Sequence, residues 1–183
     1  MKQASTYYHV KGSKAKIQVH QGGTRSGKTY SILTALIELC HRNANAGAVI
    51  TIARKTFPAL RASVMRDFFE ILSREGLYDP EKHNKSEGTY ILFGNCVEFL
   101  SVDQPQKVRG RKRDILFVNE ANEISLEDWR QLLLRTTGRS LIDFNPSDEF
   151  HWIYDEVLTR DDHEFFQTTY KDNPFLPQTT IRE

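Results

Sequence analysis

Apolar positions along the chain switch repeatedly between two spacings. Short runs rich in β-branched residues read as strands at Lys16–His20, Ala48–Ala53 and Asp114–Val118. Between them the spacing lengthens to that of a helix. Thr29 to Arg42 carries Ile32, Leu33, Leu36, Ile37 and Cys40 on one stripe, and Leu60, Val64, Phe68 and Leu72 recur at intervals of four up to Gly76. Pro58 suits the first turn of that second helix. Tyr90–Phe93 and Cys96–Val102 flank Gly94-Asn95, which predicts a hairpin turning at that pair. Ser125 and Asp128 have the spacing of a capping box ahead of Trp129, Leu132 and Leu133. Further on, Ser140–Phe144 predicts a strand stopped by Asn145-Pro146, Phe150–Leu158 a short helix, and Glu164–Thr169 a last strand. Strands alternating with helices indicate an α/β fold with a mostly parallel central sheet flanked by helices. No internal linker stands out, so residues 1–183 read as one domain, with a polar, proline-bearing tail from about Asp172.

Composition adds limits to this picture. A length of 183 residues supports a substantial core. The formal charge of +1 gives no overall basic footprint, so any nucleic-acid contact must come from a local patch. Cys40 and Cys96 have neither zinc nor redox spacing and read as free thiols in a reducing compartment. The opening MKQASTYYHV lacks a signal-peptide core, and no apolar run reaches membrane-spanning length. A cytosolic protein with no membrane partner is the expectation.

The chemistry starts at Gly22-Gly23-Thr24-Arg25-Ser26-Gly27-Lys28-Thr29, which satisfies the phosphate-loop pattern in full. Gly22, Gly23 and Gly27 let the backbone wrap tightly and aim its N–H groups at phosphate. The helix beginning near Lys28 points its positive end at the same place. Lys28 adds a charge near the β and γ phosphates, and Thr29 offers a hydroxyl to Mg²⁺. The strand before the loop and the helix after it supply the context the motif needs.

Hydrolysis needs a second element, an apolar strand ending in acids. Ile115-Leu116-Phe117-Val118-Asn119-Glu120 fits it: Glu120 stands where a general base is needed, with Glu123 close behind. Asn119 is unexpected, because magnesium prefers charged oxygen ligands. It still offers a carbonyl oxygen to the metal or to a metal-bound water.

Six ordered blocks resemble the ATPase domain of the large terminase subunit of tailed bacteriophages, especially the PBSX-like group. They are GGTRSGKT at Gly22, ARKTFPALRASV at Ala53, KVRG at Lys107, LFVNEANEIS at Leu116, DFNPSDEFHWIY at Asp143 and TTYKDNPFL at Thr168. The resemblance implies a P-loop NTPase of the ASCE type, in which other strands intervene between those carrying the two nucleotide motifs. It implies Mg-ATP as fuel, double-stranded DNA as the translocated polymer, and a portal protein, a small terminase subunit and a homo-oligomeric ring as partners, acting at the procapsid in the host cytoplasm. By motif position, Glu120 is the expected catalytic glutamate, Thr29, Asn119 and Glu120 the metal-side residues, and Asn145 the coupling or sensor residue. The family's full-length subunit also carries a nuclease domain, and no nuclease site is expected in this chain.

Three questions stay open in the sequence. Arg25 lies inside the phosphate loop and can serve in cis or reach a neighbour, while Arg54 and Arg109 read equally as trans-acting fingers or as structural or DNA-facing residues. Lys107, Arg109, Arg111, Lys112 and Arg113 make the densest basic run, which suits either DNA phosphates or a solvated loop. Tyr7, Tyr8 and Gln21 are candidates for an adenine pocket, whereas Trp129 and Trp152 read as core. Two other functions compete with a packaging motor: a nucleotide-binding switch with weak turnover, and another DNA-dependent P-loop translocase.

Overall fold

The computed structural model describes residues 3–104, 108, 112–146 and 151–176. An eight-stranded sheet forms the middle layer. Its strands are β1 (Ile17–Gly22), β2 (Val49–Arg54), β3 (His83–Asn84), β4 (Thr89–Leu92), β5 (Asn95–Ser101), β6 (Arg113–Val118), β7 (Thr136–Phe144) and β8 (His163–Thr168). The order across the sheet is β3-β4-β5-β2-β6-β7-β1-β8. The six strands from β5 to β8 in that order run parallel, and β4 and β3 add an antiparallel edge.

Helices cover both faces. Leu116 and Val118 of β6 point into one core with Trp129, Leu132 and Ile142, while Phe117 points into the other with Ile32, Leu36 and Phe68. This two-sided burial explains why the strands read as unbroken apolar runs instead of alternating ones. On the Phe117 side pack α1 (Ser5–Gly12), α2 (Lys28–Arg42), α3 (Phe57–Leu60) and α4 (Arg66–Arg74); on the Val118 side lies α5 (Leu126–Leu134). Between α3 and α4 the helical path continues through a single wide turn, Arg61–Met65. Thr56 caps α3 by accepting from the Ala59 N–H, with Pro58 in the first turn. The predicted capping box of Ser125 and Asp128 is present at the start of α5.

Three local expectations change. The hairpin turns at Phe93-Gly94, both at positive φ, and not at Gly94-Asn95. Asn95 is instead a buried strand residue: its amide donates to the carbonyls of Cys40 and Asn43, and its oxygen accepts from the Ala48 N–H. Of the helix expected over Phe150–Leu158, Phe150 lies outside the described residues, and the rest holds a wide helical turn at Ile153–Val157. The N-terminal helix α1 has no counterpart in the sequence reading.

Candidate nucleotide site

Parallel strands bring their C-terminal ends to one edge of the sheet, the usual place for ligands in open α/β sheets. β7 lies between β1 and β6, pairing Gln21 with Phe144 on one side and Val118 with Ile142 on the other. The glycine loop after β1, the Asn119-Glu120 step after β6 and the Asp143–Asn145 end of β7 therefore meet.

The loop is shaped by two close approaches. Gly22 ends β1 against Thr168 of β8, where any side chain would run into the neighbouring strand. Gly27 is in the left-handed region, φ +77°, and N-caps α2. The loop's tip, Gly23, Thr24 and Arg25, is exposed, while Ser26 is buried. Asn173 clamps the loop from outside by donating its amide to the Arg25 carbonyl at 2.8 Å.

Lys28 is buried within this loop and donates to the carbonyls of Gly22 and Gly23, to Ser26 Oγ and, at 3.2 Å, to Asn145 Oδ1. Burial pulls its pKa down, and the charges of Asp143 and Glu120 partly offset that. Asn145 donates in turn to Glu120 Oε1 over a long 3.5 Å. One amide thus connects the lysine that would face phosphate with the glutamate that would face water. Glu120 itself sits at φ +52°, a conformation that costs a non-glycine residue about 1–2 kcal/mol. Burial, and then the carboxylate of Asp143, raise its pKa, with Arg54 and Lys28 pulling the other way. Such an upward shift suits a general base.

Sequence reasoning passed over Asp143. Its carboxylate is 1% exposed and forms the hub of the site. Thr29 Oγ1 donates to it at 2.6 Å, Asn119 Nδ2 at 3.0 Å and the Glu120 N–H at 2.8 Å. Burial pushes its pKa up and those donors pull it down. In the sequence it shows as an acid inside a mostly apolar strand, SLIDF, at the head of the block DFNPSDEFHWIY.

Oxygen donors dominate this corner: the Thr29 hydroxyl, the Asn119 carbonyl, and the Glu120 and Asp143 carboxylates. Asn119 Oδ1 is buried and lacks a hydrogen-bond partner among the described residues. Hard oxygens and an unsatisfied acceptor fit Mg²⁺. The described residues hold no cluster of three or more His, Cys, Asp or Glu side chains. Magnesium shared with phosphates and waters asks for only one or two carboxylates from the protein.

Other expected residues fall elsewhere. Tyr8 is exposed on α1 with its ring edge-on to Tyr7, whose hydroxyl is bonded to Glu38. Gln21 accepts from the Tyr154 hydroxyl at 3.0 Å on the Val118 side of the sheet. The structure does not bring Tyr8 and Gln21 together. A cavity of about 310 Å³ lies instead beside the loop on the α2 side, lined by Gln3, Gly27, Tyr30, Arg74, Asn173 and Phe175 among others. Arg54 is held by its own chain, in an ion pair with Glu123 at 3.2 Å and a bond to Ser63. Arg113 is not a surface cation of the basic run: it is 1% exposed and donates to Thr51 Oγ1 and the Leu132 carbonyl, both at 3.0 Å. Lys112 is exposed, and Lys107, Arg109 and Arg111 lie outside the described residues. Trp129 is buried in the core, as expected, and Trp152 is partly buried and stacks on it.

A glycine loop joining a strand to a helix, with one strand intercalated before the strand that carries Glu120, defines a P-loop NTPase of the ASCE type. Comparison with known proteins narrows this class. The model of the phage terminase large subunit family matches residues 14–183, and the chain belongs to that family. No curated protein matches. Among solved structures, the large terminase of a thermophilic bacteriophage superposes with a TM-score of 0.85 at 18% identity, covering 100% of this chain and 49% of that one. The complex of that terminase with ADP gives 0.80 at 20% identity, covering 98% and 48%. The large terminase ATPase domain of Thermus phage P74-26 gives 0.73 at 17% identity, covering 99% and 91%. The chain thus spans about half the length of the first of these terminases and nearly the whole of an isolated ATPase domain.

Proposed function

We propose that this chain binds and hydrolyses Mg-ATP and that the hydrolysis drives double-stranded DNA into a procapsid. The observation that carries the reading is the meeting of Lys28, Thr29, Asn145 and Glu120 at one sheet edge. Crystals of the thermophilic-phage terminase with ADP and with ATP-gamma-S support nucleotide as the ligand.

The roles follow from the contacts. The N–H groups of Gly22 to Thr29 and the start of α2 hold the phosphate chain. Lys28 exchanges its loop carbonyls for phosphate oxygens and offsets their charge. Glu120 takes a proton from water as the water oxygen bonds to the γ-phosphorus; the bond from that phosphorus to the ADP oxygen breaks. Asn145, in contact with both Lys28 and Glu120, is placed to report the state of the phosphate to the base. Mg²⁺, expected beside Thr29 and the Asn119-Glu120 step, would spread the charge that develops on the phosphate oxygens. Arg25, exposed on the loop, is available in cis or to a neighbour, and Arg109 remains the proposed trans finger. The adenine base is assigned to the cavity lined by Tyr30, Arg74 and Phe175, in place of Tyr8 and Gln21.

Double-stranded DNA, the portal protein, the small terminase subunit, a ring of copies and action in the host cytoplasm belong to the same proposal. Among the described residues no helix is long and apolar enough to cross a membrane. Phosphate release from ATP tests the core of the reading. The parent chain releases phosphate, and Lys28→Ala and Glu120→Gln suppress it. Nucleotide binding by the parent with no release would favour a switch that binds without turnover. DNA packaging tests the DNA role: Arg109→Ala and Arg111→Ala together must reduce it.

A further inference from the structure

An ASCE site needs a negative charge beside the phosphate-loop hydroxyl, at the end of the strand that carries the catalytic glutamate. Here that place is Asn119, which is neutral. The neighbouring strand supplies the missing charge. Val118 of β6 pairs with Ile142 of β7, so the next residue of each strand, Asn119 and Asp143, stand side by side. Asn119 Nδ2 donates to both Asp143 oxygens, at 3.0 and 3.2 Å. The Thr29 hydroxyl donates to Asp143 Oδ2 at 2.6 Å and accepts from Asn119 Nδ2 at 3.3 Å.

We infer that Asp143, not Asn119, is the charged group that holds the divalent cation at this site, the carboxylate having moved one strand across the sheet. This rests on the Mg-ATP reading above and specifies its metal site. Three features of the geometry support the exchange. The proton of the Thr29 hydroxyl is engaged by Asp143 at 2.6 Å, and the Asn119 amide reaches the hydroxyl oxygen only at 3.3 Å, which leaves one lone pair of Thr29 for a cation. The Asn119 amide points its N–H groups at Asp143, which directs its unpartnered oxygen elsewhere and suits it to a metal-bound water. The Glu120 N–H also donates to Asp143, at 2.8 Å, so the same carboxylate fixes the unusual backbone on which the proposed base is mounted. Asp143 therefore orders the metal-side hydroxyl and the base-bearing turn at once. Asn119 becomes a spacer that keeps two carboxylates from facing each other across adjacent strands.

The exchange makes a reciprocal prediction. Aspartate at position 119 with asparagine at 143 puts the charge back on β6 and keeps one acid and one amide at the pair. Mn²⁺ serves as the probe, its binding to the ADP complex of the whole chain followed by electron paramagnetic resonance. Fluorescent ADP binding in EDTA is measured alongside and reports the phosphate loop without metal. Asp143→Asn should weaken Mn²⁺ binding by about tenfold or more, the scale seen when a group that orients metal ligands is lost. ADP binding in EDTA should stay within about twofold, since the loop N–H groups that hold phosphate are untouched. The double variant Asn119→Asp/Asp143→Asn should recover most of the Mn²⁺ affinity. Two results overturn the inference: Asp143→Asn with Mn²⁺ affinity equal to the parent's, or a folded double variant no better than Asp143→Asn. Failure of the parent to bind ADP at all would instead remove the nucleotide reading on which the inference rests. If Asp143→Asn does not fold, the decision passes to the double variant, which keeps one charge at the pair and must bind Mn²⁺ for the inference to stand.

Discussion

The two leading glycines of the phosphate loop look equivalent in the sequence but not in the structure. A Cβ built on Gly22 would lie 2.7 Å from Thr168 Oγ1 and closer still to the Thr168 carbonyl oxygen. Comfortable carbon–oxygen contact is about 3.4 Å, so the overlap approaches an ångström. Thr168 is the β8 residue paired with Gly22, and its hydroxyl also reaches the Gln21 carbonyl. Relief requires the end of β8 to move away from β1. Overpacking of this kind costs about 2 kcal/mol, which lowers Tm by about 4–8 °C in a domain of this size. A Cβ on Gly23 meets nothing within 4 Å, and that residue has no positive φ. Gly23→Ala should therefore stay within about 0.5 kcal/mol of the parent. The assay is urea and thermal unfolding of the three chains side by side, with ADP affinity measured on each. Equal destabilisation by the two substitutions, or a larger loss from Gly23→Ala, would refute the packing argument at the β1–β8 seam.

Further expectations follow from individual contacts. His20 is fully buried and stacked against Phe166, and burial, with His9 and Lys28 adding to it, lowers its pKa to about 3. The unfolded chain takes up that proton first, so His20 favours the folded state fully above about pH 6.5 and progressively less as pH falls toward 3. The loss at pH 5 is about 2 kcal/mol at ~1.4 kcal/mol per pH unit, and His20→Gln should flatten the urea-unfolding profile between pH 7 and 5 by that amount. Arg113→Ala leaves Thr51 and the Leu132 carbonyl without their donor and should cost about 3 kcal/mol in the same assay. Lys112→Ala, at an exposed neighbour, should cost under about 0.5 kcal/mol. Asn145→Ala should slow phosphate release by about tenfold or more while ADP affinity changes little, because the amide connects Lys28 to the base without building the loop. A proportional loss of ADP affinity would assign Asn145 to binding instead.

What was legible in the sequence was local. The loop from Gly22 to Thr29, the helix after it and the apolar strands each carry their own signal within a few residues. The ASCE arrangement was implied by resemblance alone, since only the folded sheet places β7 between β1 and β6. The role of Asp143 is illegible for the same reason: its partners, Thr29 and Asn119, lie 114 and 24 positions away. The turn at Phe93-Gly94 misled because Asn95, a common turn residue, is drawn into the sheet by bonds to Cys40, Asn43 and Ala48. Arg113 read as part of a basic surface because burial of its guanidinium depends on α5 and β2 closing over it. Helix α1 was missed because it presents a weak apolar stripe, with only Thr6 and Val10 buried. It docks instead through polar and ring contacts, His9 on Phe166 and Lys11 on Glu38.

The chemical fate of bound ATP tests the central claim most directly. Radiolabelled ATP is bound to the purified chain with Mg²⁺, the mixture is quenched in acid over a time course, and bound label is separated into ATP and ADP. The account predicts that the parent converts its bound ATP to ADP, and that Glu120→Gln binds ATP comparably but converts it about 10²–10⁴-fold more slowly. Conversion by Glu120→Gln at the parent's rate would contradict the assignment of the base. Bound label recovered as ATP from the parent would contradict hydrolysis at this sheet edge altogether.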